Sequence, residues 1–305
     1  MNTPFDKLQL SKNIFDLAIN LHRPDYVVAL VSGGDDSMAM YNVARKIGYI
    51  DWVVHVDTTT GIKDVTSFVE DNITEDLMVV KTNEATYEEI VLENGFPGPG
   101  QHSTMYIRLK ERALRVAQRI LQHKDSFCRV DGSTAHKKKT PLLFHSDYPE
   151  SEALVVKKPQ RKIMYLTGAR RDESVRRMGN VVDIQKEGNQ IWVNLISDWT
   201  KQNCYDFRIS ENYKQSPTAA ILGRSGECNC GAYGSPQELI EMKYFFPTDP
   251  NIKMIERVQK ELRGKKHKYC NYGHGGVNKE LTTSQENKII SKLCSTCENN
   301  FSNRY

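Results

Sequence analysis

The sequence predicts an α/β fold: a mainly parallel sheet with helices on both faces, followed by a smaller, mainly helical, cysteine-containing C-terminal region. Three observations carry this. Runs of β-branched and aliphatic residues recur at Tyr26–Val31, Trp52–Val56, Leu77–Val80, Ile163–Leu166 and Ile191–Leu195. Most are separated by segments of helical periodicity, the alternation expected of βα units. After Trp199 the pattern changes to short helices punctuated by cysteines and glycines. At 305 residues the chain is long enough for one large domain with an appendage, or for two modest domains.

In chain order, helices are expected at Ser37–Lys46, Lys63–Asp71, Tyr87–Asn94 and His102–His123. The last places Ile107, Leu114, Val116, Ala117, Ile120 and Leu121 on or near one face and basic residues on the rest. Between Asp125 and Gln160 the periodicity fails, which reads as an insertion of a length usually tied to function. Ser235-Pro236 with Glu238, and Asp249-Pro250, are helix-start signals, with Gly264 as the expected stop of the second helix. The expected division is 1–200 for the sheet domain and 201–305 for the helical region. No internal repeat is present.

Composition narrows the class. No apolar run approaches the ~20 residues of a membrane span, and the N-terminal residues lack the apolar centre of a signal peptide, so a cytoplasmic protein without membrane contact is expected. Seven cysteines in such a chain fit metal ligation or thiol chemistry better than a disulfide framework. The net charge is +4, and lysines and arginines gather at Arg108–Arg119, His136–Lys139, Lys157–Lys162 and Arg170–Arg177, which points to an anionic ligand.

The first strand breaks at Ser32-Gly33-Gly34-Asp35-Asp36-Ser37, and a helical pattern follows. Glycines at a strand-to-helix turn let backbone N–H groups converge, and the helix N-terminus adds partial positive charge, so a phosphate is expected there. Neither the Gly-Lys-Ser/Thr ending of a Walker A loop nor a G-x-G-x-x-G fingerprint is present. Cys228 and Cys230 in "GECNCG", with Cys294 and Cys297 in "KLCSTCEN", can close a four-sulfur shell around zinc or bind a 4Fe-4S cluster. Spacing does not separate the two, and Cys270 with His274 is a rival ligand pair. Cys128 and Cys204 read as core residues.

The S-G-G-x-D-S stretch resembles the pyrophosphate-binding PP-loop of N-type ATP pyrophosphatases and sulfonucleotide reductases. "HVDTTTG" (His55–Gly61), "LTGARRDESVRR" (Leu166–Arg177) and "ISDWT" (Ile196–Thr200) are similar, in the same order, to segments of proteins like phosphoadenosine phosphosulfate (PAPS) reductase. The chain is thus identified as a member of the PAPS reductase-like branch of the PP-loop superfamily, with an adenine nucleotide alpha hydrolase-like fold. The resemblance implies an adenine nucleotide, ATP or PAPS, at the C-terminal ends of the strands. Ser32, Gly33, Gly34 and Ser37 would donate to its phosphates and Asp36 would hold the accompanying Mg²⁺. Many members carry lysine where this chain has Asp35. Gly168 opens the later stretch, Arg170 and Arg171 would clamp phosphate, and Glu173 would orient one of them. Asp57 is either a nucleotide contact or a turn cap.

Three functions follow. In the first, a substrate is adenylated with release of pyrophosphate, for sulfur transfer to an acceptor such as a nucleic acid, with a sulfur-donor protein as a further partner. In the second, the chain is a PAPS or APS reductase. It lacks the E-C-G-x-H nucleophile of that chemistry, and the Cys-Cys pair of the iron–sulfur enzymes near the start of the long helix. In the third, it is a non-catalytic nucleotide- or nucleic-acid-binding module. The basic long helix and Lys137–Lys139 offer phosphate contacts in the first and third, and the oligomeric state is left open.

Overall fold

The computed structural model describes residues 4–82, 86–122, 161–173 and 181–274. The expected insertion at 125–160, Cys128, Lys137–Lys139, Cys294 and Cys297 lie outside these residues. A helix α1 (Pro4–His22) precedes the first strand, β1 (Tyr26–Leu30), and α2 (Asp35–Ile47) follows it. Next come β2 (Trp52–Val56), α3 (Lys63–Asn72), β3 (Leu77–Val80) and α4 (Tyr87–Asn94). The long helical stretch is three pieces rather than one: α5 (His102–Tyr106), a π turn over Ile107–Glu111, and α6 (Arg112–Gln122). The rest is β4 (Ile163–Thr167), β5 (Ile184–Glu187), β6 (Gln190–Asn194), α7 (Lys201–Glu211), α8 (Pro217–Leu222), α9 (Pro236–Phe245) and α10 (Pro250–Gly264).

The six strands form one sheet in the order β3-β2-β1-β4-β6-β5. Every neighbouring pair is parallel except β5 with β6, which adds an antiparallel edge. Side chains alternate between the faces as a pleated sheet requires. Val27, Ala29, Val53, Met164, Leu166 and Val193 pack with residues of α1, α2, α3 and α7. Val28, Leu30, Val54, Met78, Tyr165 and Trp192 pack with Ala113, Leu114, Ala117 and Leu121 of α6. Helices therefore cover both faces, which is why the central strands are apolar without interruption.

A third core joins Ile62, Val65, Tyr87, Ile90, Met105 and Leu109 to Leu239, Met242, Ile255, Val258, Leu262 and Tyr272. The helical C-terminal region thus shares its interior with elements from before residue 200. Thr86, Thr200, Ser216, Ser235 and Asp249 cap their helices with side-chain oxygens. Gly264 is not the stop expected of it: it is the last helical residue, and Lys265 is the cap. Among the described residues no helix is long and apolar enough to cross a membrane.

Candidate functional site

The strand order reverses between β1 and β4: β1 leads outward to β2 and β3, and the chain then returns to the other side of β1. Ligands of open α/β sheets sit in the crevice beyond the strand ends at such a point. A cleft opens there, lined by Ser32 and Gly34 to Ser37 after β1, Thr167 to Arg170 after β4, and Gly223 to Ser225 with Glu227. The cleft is open to solvent, and the space enclosed within it is about 130 Å³.

The loop after β1 is built from the residues the sequence singled out. Gly33 has φ +78°, the left-handed region, and a Cβ there would lie 2.8 Å from Val65 Cγ1. The loop therefore packs flat on α3. Ser37 is buried and braces the turn: its Oγ donates to Gly34 O at 2.9 Å and accepts from Ser32 N–H at 3.2 Å. α2 starts earlier than expected, at Asp35, with Gly34 as N-cap and no side chain capping it. Its first-turn N–H groups and the positive end of its dipole thus meet the cleft without a side-chain acceptor. Gly168 lets β4's loop reach this turn, since a Cβ there would stand 2.8 Å from Asp36 O.

Asp36 faces Arg170. Arg170 Nε lies 2.9 Å from Asp36 Oδ1, within ion-pair range, and Nη2 donates to Oδ2 at 3.1 Å. The arginine side chain is 4 % exposed, and Nη1 also donates to Trp199 O at 3.4 Å. Burial opposes its charge, but the Asp36 carboxylate holds the guanidinium above its ordinary pKa. Cys204 of α7 reaches the same carboxylate with its thiol, which burial and then the Asp36 charge push up. Sequence reasoning took Cys204 for core. It is buried, and it also supports the pair. Glu173 is buried close enough to add to the field on Arg170.

Two expected site residues turn elsewhere. Arg171 donates to Val181 O at 2.9 Å and pairs with Asp183 at 2.7 Å and with Asp198, so it ties the β4 loop to the β5–β6 hairpin and does not line the cleft. Asp57 accepts from Thr59 N–H at 2.8 Å and pairs with Lys63 at 3.3 Å; it closes a turn, and it too is absent from the cleft wall. His55 fixes the end of β1. Its Nδ1 must carry the proton, because the partner at 2.8 Å is Val31 O, and Nε2 then accepts from Thr66 Oγ1 at 3.2 Å. Asp35 lines the cleft and accepts the Gln215 amide at 3.1 Å on both oxygens.

Sequence reasoning missed the opposite wall. Lys110 and Glu227 form an ion pair at 2.8 Å, each side chain 5 % exposed, and both line the cleft. The π turn places Lys110 there, and such turns recur at functional sites. The available signal was a lysine in the apolar stripe, three residues after Ile107 and four before Leu114. Arg224 lines the cleft with Nη1 donating to Asn229 Oδ1 at 2.7 Å, and Lys201 lines it from the start of α7. The loop carrying Glu227 is bolted to the "DTTTG" segment. Thr58 Oγ1 donates to Glu227 O at 2.6 Å, Asn229 N–H donates to Thr60 Oγ1 at 3.0 Å, and a Cβ on Gly61 would meet Glu227 O at 2.4 Å.

Cys228 and Cys230 follow directly. Their thiols hydrogen-bond to each other, and that contact together with burial raises Cys228 well above an ordinary thiol. Among the described residues no group of three or more His, Cys, Asp or Glu converges. The rival His274 has its Nε2 on Phe96 O at 2.8 Å and its ring stacked on Tyr269.

No curated protein sequence matches the chain. Among solved structures it is similar to a PAPS reductase from Candida auris in a phosphate complex, at 11% identity and a TM-score of 0.43, covering 69% of this chain and 84% of that one. It is also similar to the FMN adenylyltransferase of Candida glabrata with FMN and the ATP analog AMPCPP, at 11% identity and a TM-score of 0.40. There the match covers 70% of this chain and 60% of that one, less than two thirds of its length. The phosphoadenosine phosphosulfate reductase domain model matches residues 26–218, from the first residue of β1 to the start of α8, and the chain belongs to that family.

Proposed function

We propose that this chain is a PP-loop ATP pyrophosphatase that adenylates an acceptor, in the service of sulfur transfer. The observation that carries the reading is the uncapped N-terminus of α2 behind Gly33-Gly34, facing Gly168 across the strand-order switch. It suits the β- and γ-phosphates of ATP as leaving group. An acceptor oxygen would attack the α-phosphorus, the bond to the α,β-bridging oxygen would break, and pyrophosphate would depart with the electron pair. A sulfur nucleophile would then displace AMP. Positioning and charge neutralisation are the protein's share.

In this reading Ser32, Gly33, Gly34 and Ser37 shape the loop, and Gly168 keeps β4 against it. Arg170 is a charge fixed by Asp36 and Glu173 rather than a mobile clamp, and Arg171 supports the β4 loop from behind. Asp57 holds the adjoining turn. Asp36 lines the cleft and keeps lone pairs beyond the one that accepts from Arg170 Nη2, which fits it to Mg²⁺. The ion would neutralise the polyphosphate. Labelled ATP with Mg²⁺ should yield AMP and pyrophosphate; ADP, or no product at all, would defeat the assignment.

The family match supports a second reading, reduction of PAPS or APS. A thiolate must then attack sulfur, whereas no cysteine lines the cleft among the described residues. Release of sulfite from PAPS in the presence of a dithiol would favour it. We further propose that Cys228 and Cys230 complete a zinc or 4Fe-4S site with Cys294 and Cys297. Anaerobic purification followed by metal analysis and absorption spectroscopy tests this: about four iron or one zinc per chain is expected, and a metal-free chain overturns it.

A further inference from the structure

Resting on the reading that the cleft releases pyrophosphate from ATP, we infer that Lys201 is the residue that neutralises that leaving group. Four cations line the cleft: Lys110, Arg170, Lys201 and Arg224. Three of them are tied down. Lys110 pairs with Glu227 at 2.8 Å and Arg170 with Asp36 at 2.9 Å, and their side chains are 5% and 4% exposed. Arg224 donates to Asn229 Oδ1 at 2.7 Å and lies 3.8 Å from Glu238, with 12% of its side chain exposed. Lys201 is exposed, and no carboxylate pairs with it among the described residues.

Its place in the fold suits the task. Lys201 is the first residue of α7, directly after the Thr200 cap. Two residues before it Trp199 O accepts from Arg170 Nη1 at 3.4 Å, and three residues after it Cys204 reaches the Asp36 carboxylate. Positions three apart share a helix face, so Lys201 stands on the face of α7 that meets the first turn of α2. A cation in a first turn opposes the helix dipole, so the stability of α7 does not account for a lysine here. The carboxylates of the wall are Asp35, Asp36 and Glu227. Arg170 and Lys110 match Asp36 and Glu227, while Asp35 keeps its charge because its partner is the neutral Gln215 amide. Asp35 offsets Arg224, and the positive charge left over on the wall is that of Lys201. As the bond from the α-phosphorus to the α,β-bridging oxygen breaks, its electron pair stays on that oxygen and no proton need move. A lysine on a flexible stem can donate to the departing oxygens and follow them, which the three fixed cations cannot do.

The test is calorimetry of the full-length protein with Mg²⁺ and, in turn, pyrophosphate, ATP and AMP, beside single-turnover formation of AMP. Lys201→Ala should weaken pyrophosphate and ATP about tenfold each, the size of a lost charged hydrogen bond. AMP should bind as it does to the parent, because it lacks the β- and γ-phosphates. Lys201→Arg keeps the charge and should stay within about threefold of the parent, and Lys201→Glu should weaken pyrophosphate roughly a hundredfold. At saturating ATP the single-turnover rate of Lys201→Ala should fall about tenfold, since the leaving oxygen carries more charge in the transition state than in bound ATP. The position is exposed, so the thermal midpoint should be that of the parent in each variant.

Pyrophosphate and ATP binding like the parent's in Lys201→Ala, an equal loss for AMP, or an arginine variant as weak as the alanine one would each overturn the inference. Its failure is distinguishable from failure of the functional reading. If the parent converts ATP to AMP and pyrophosphate and Lys201→Ala does so with the same affinity and rate, only the role of Lys201 is refuted. If pyrophosphate binding depends on Lys201 but ATP is left intact, the contact stands and the adenylation chemistry is refuted.

Discussion

At the scale of single residues, the loop glycines were legible because only glycine satisfies what a tight strand-to-helix turn demands, yet what each one approaches was not. Gly33 needs its left-handed φ, whereas Gly34 has φ −81°, open to any residue. Its constraint is distance: a Cβ would lie 2.8 Å from Ser225 Cβ, across the cleft wall, and not among the loop N–H groups. Gly34→Ala should therefore displace the Gly223–Glu227 wall, costing about 1–2 kcal/mol of stability and roughly tenfold in ATP affinity. Adding Ser225→Gly removes the atom in the way and should recover both. Calorimetry and urea denaturation on the single and double variants check this. Unchanged affinity in the single variant, or no recovery in the double, would show that the wall does not border the nucleotide. The same limit applies to Asp36 and Arg170. Sequence identified both as charged site residues but assigned them to a metal and a phosphate, because nothing in one dimension reveals that the two segments fold onto each other.

At the scale of elements, what could be read was whatever buries one clean face. The β1, β2 and β3 runs and α3 and α4 stand within a residue of where periodicity placed them. α1 was not seen: it buries Ser11, Ile14, Phe15 and Ala18 but also exposes Leu10, Leu17 and Leu21, which blurs its stripe. β5, "IQKE", exposes three of four residues and exists because β6 offers it an edge. The break of the long helix into a π turn was invisible for another reason. One extra residue in a turn leaves composition and average period nearly unchanged, and only the misplaced lysine records it. The cysteine pair was legible as chemistry, while the loop that mounts it on the "DTTTG" segment is held by backbone and threonine contacts that carry no motif.

At the scale of the whole molecule, the C-terminal region closes the site rather than hanging from it. Its helices share a core with Tyr87, Ile90 and Leu109, and its Arg224–Glu227 stretch forms a cleft wall. The Lys110–Glu227 pair is a buried ion pair across that junction, with each side chain 5% exposed. A pair this deep need not add net stability, since desolvating two ions costs about what their attraction returns, but removing one partner strands the other. Glu227→Gln should thus lower stability by about 3 kcal/mol, seen as a fall in Tm and in the urea midpoint. Lys110→Met with Glu227→Leu should bring stability back to within about 1 kcal/mol of the parent, because two apolar side chains fill the space without a desolvation cost. If the pair serves the nucleotide site, that stable double variant should still bind ATP at least tenfold more weakly, having lost a cation and a fixed wall. If it binds ATP as the parent does, the pair is only a strut between the two halves, and the cleft's function rests on the α2 turn, Arg170 and Lys201.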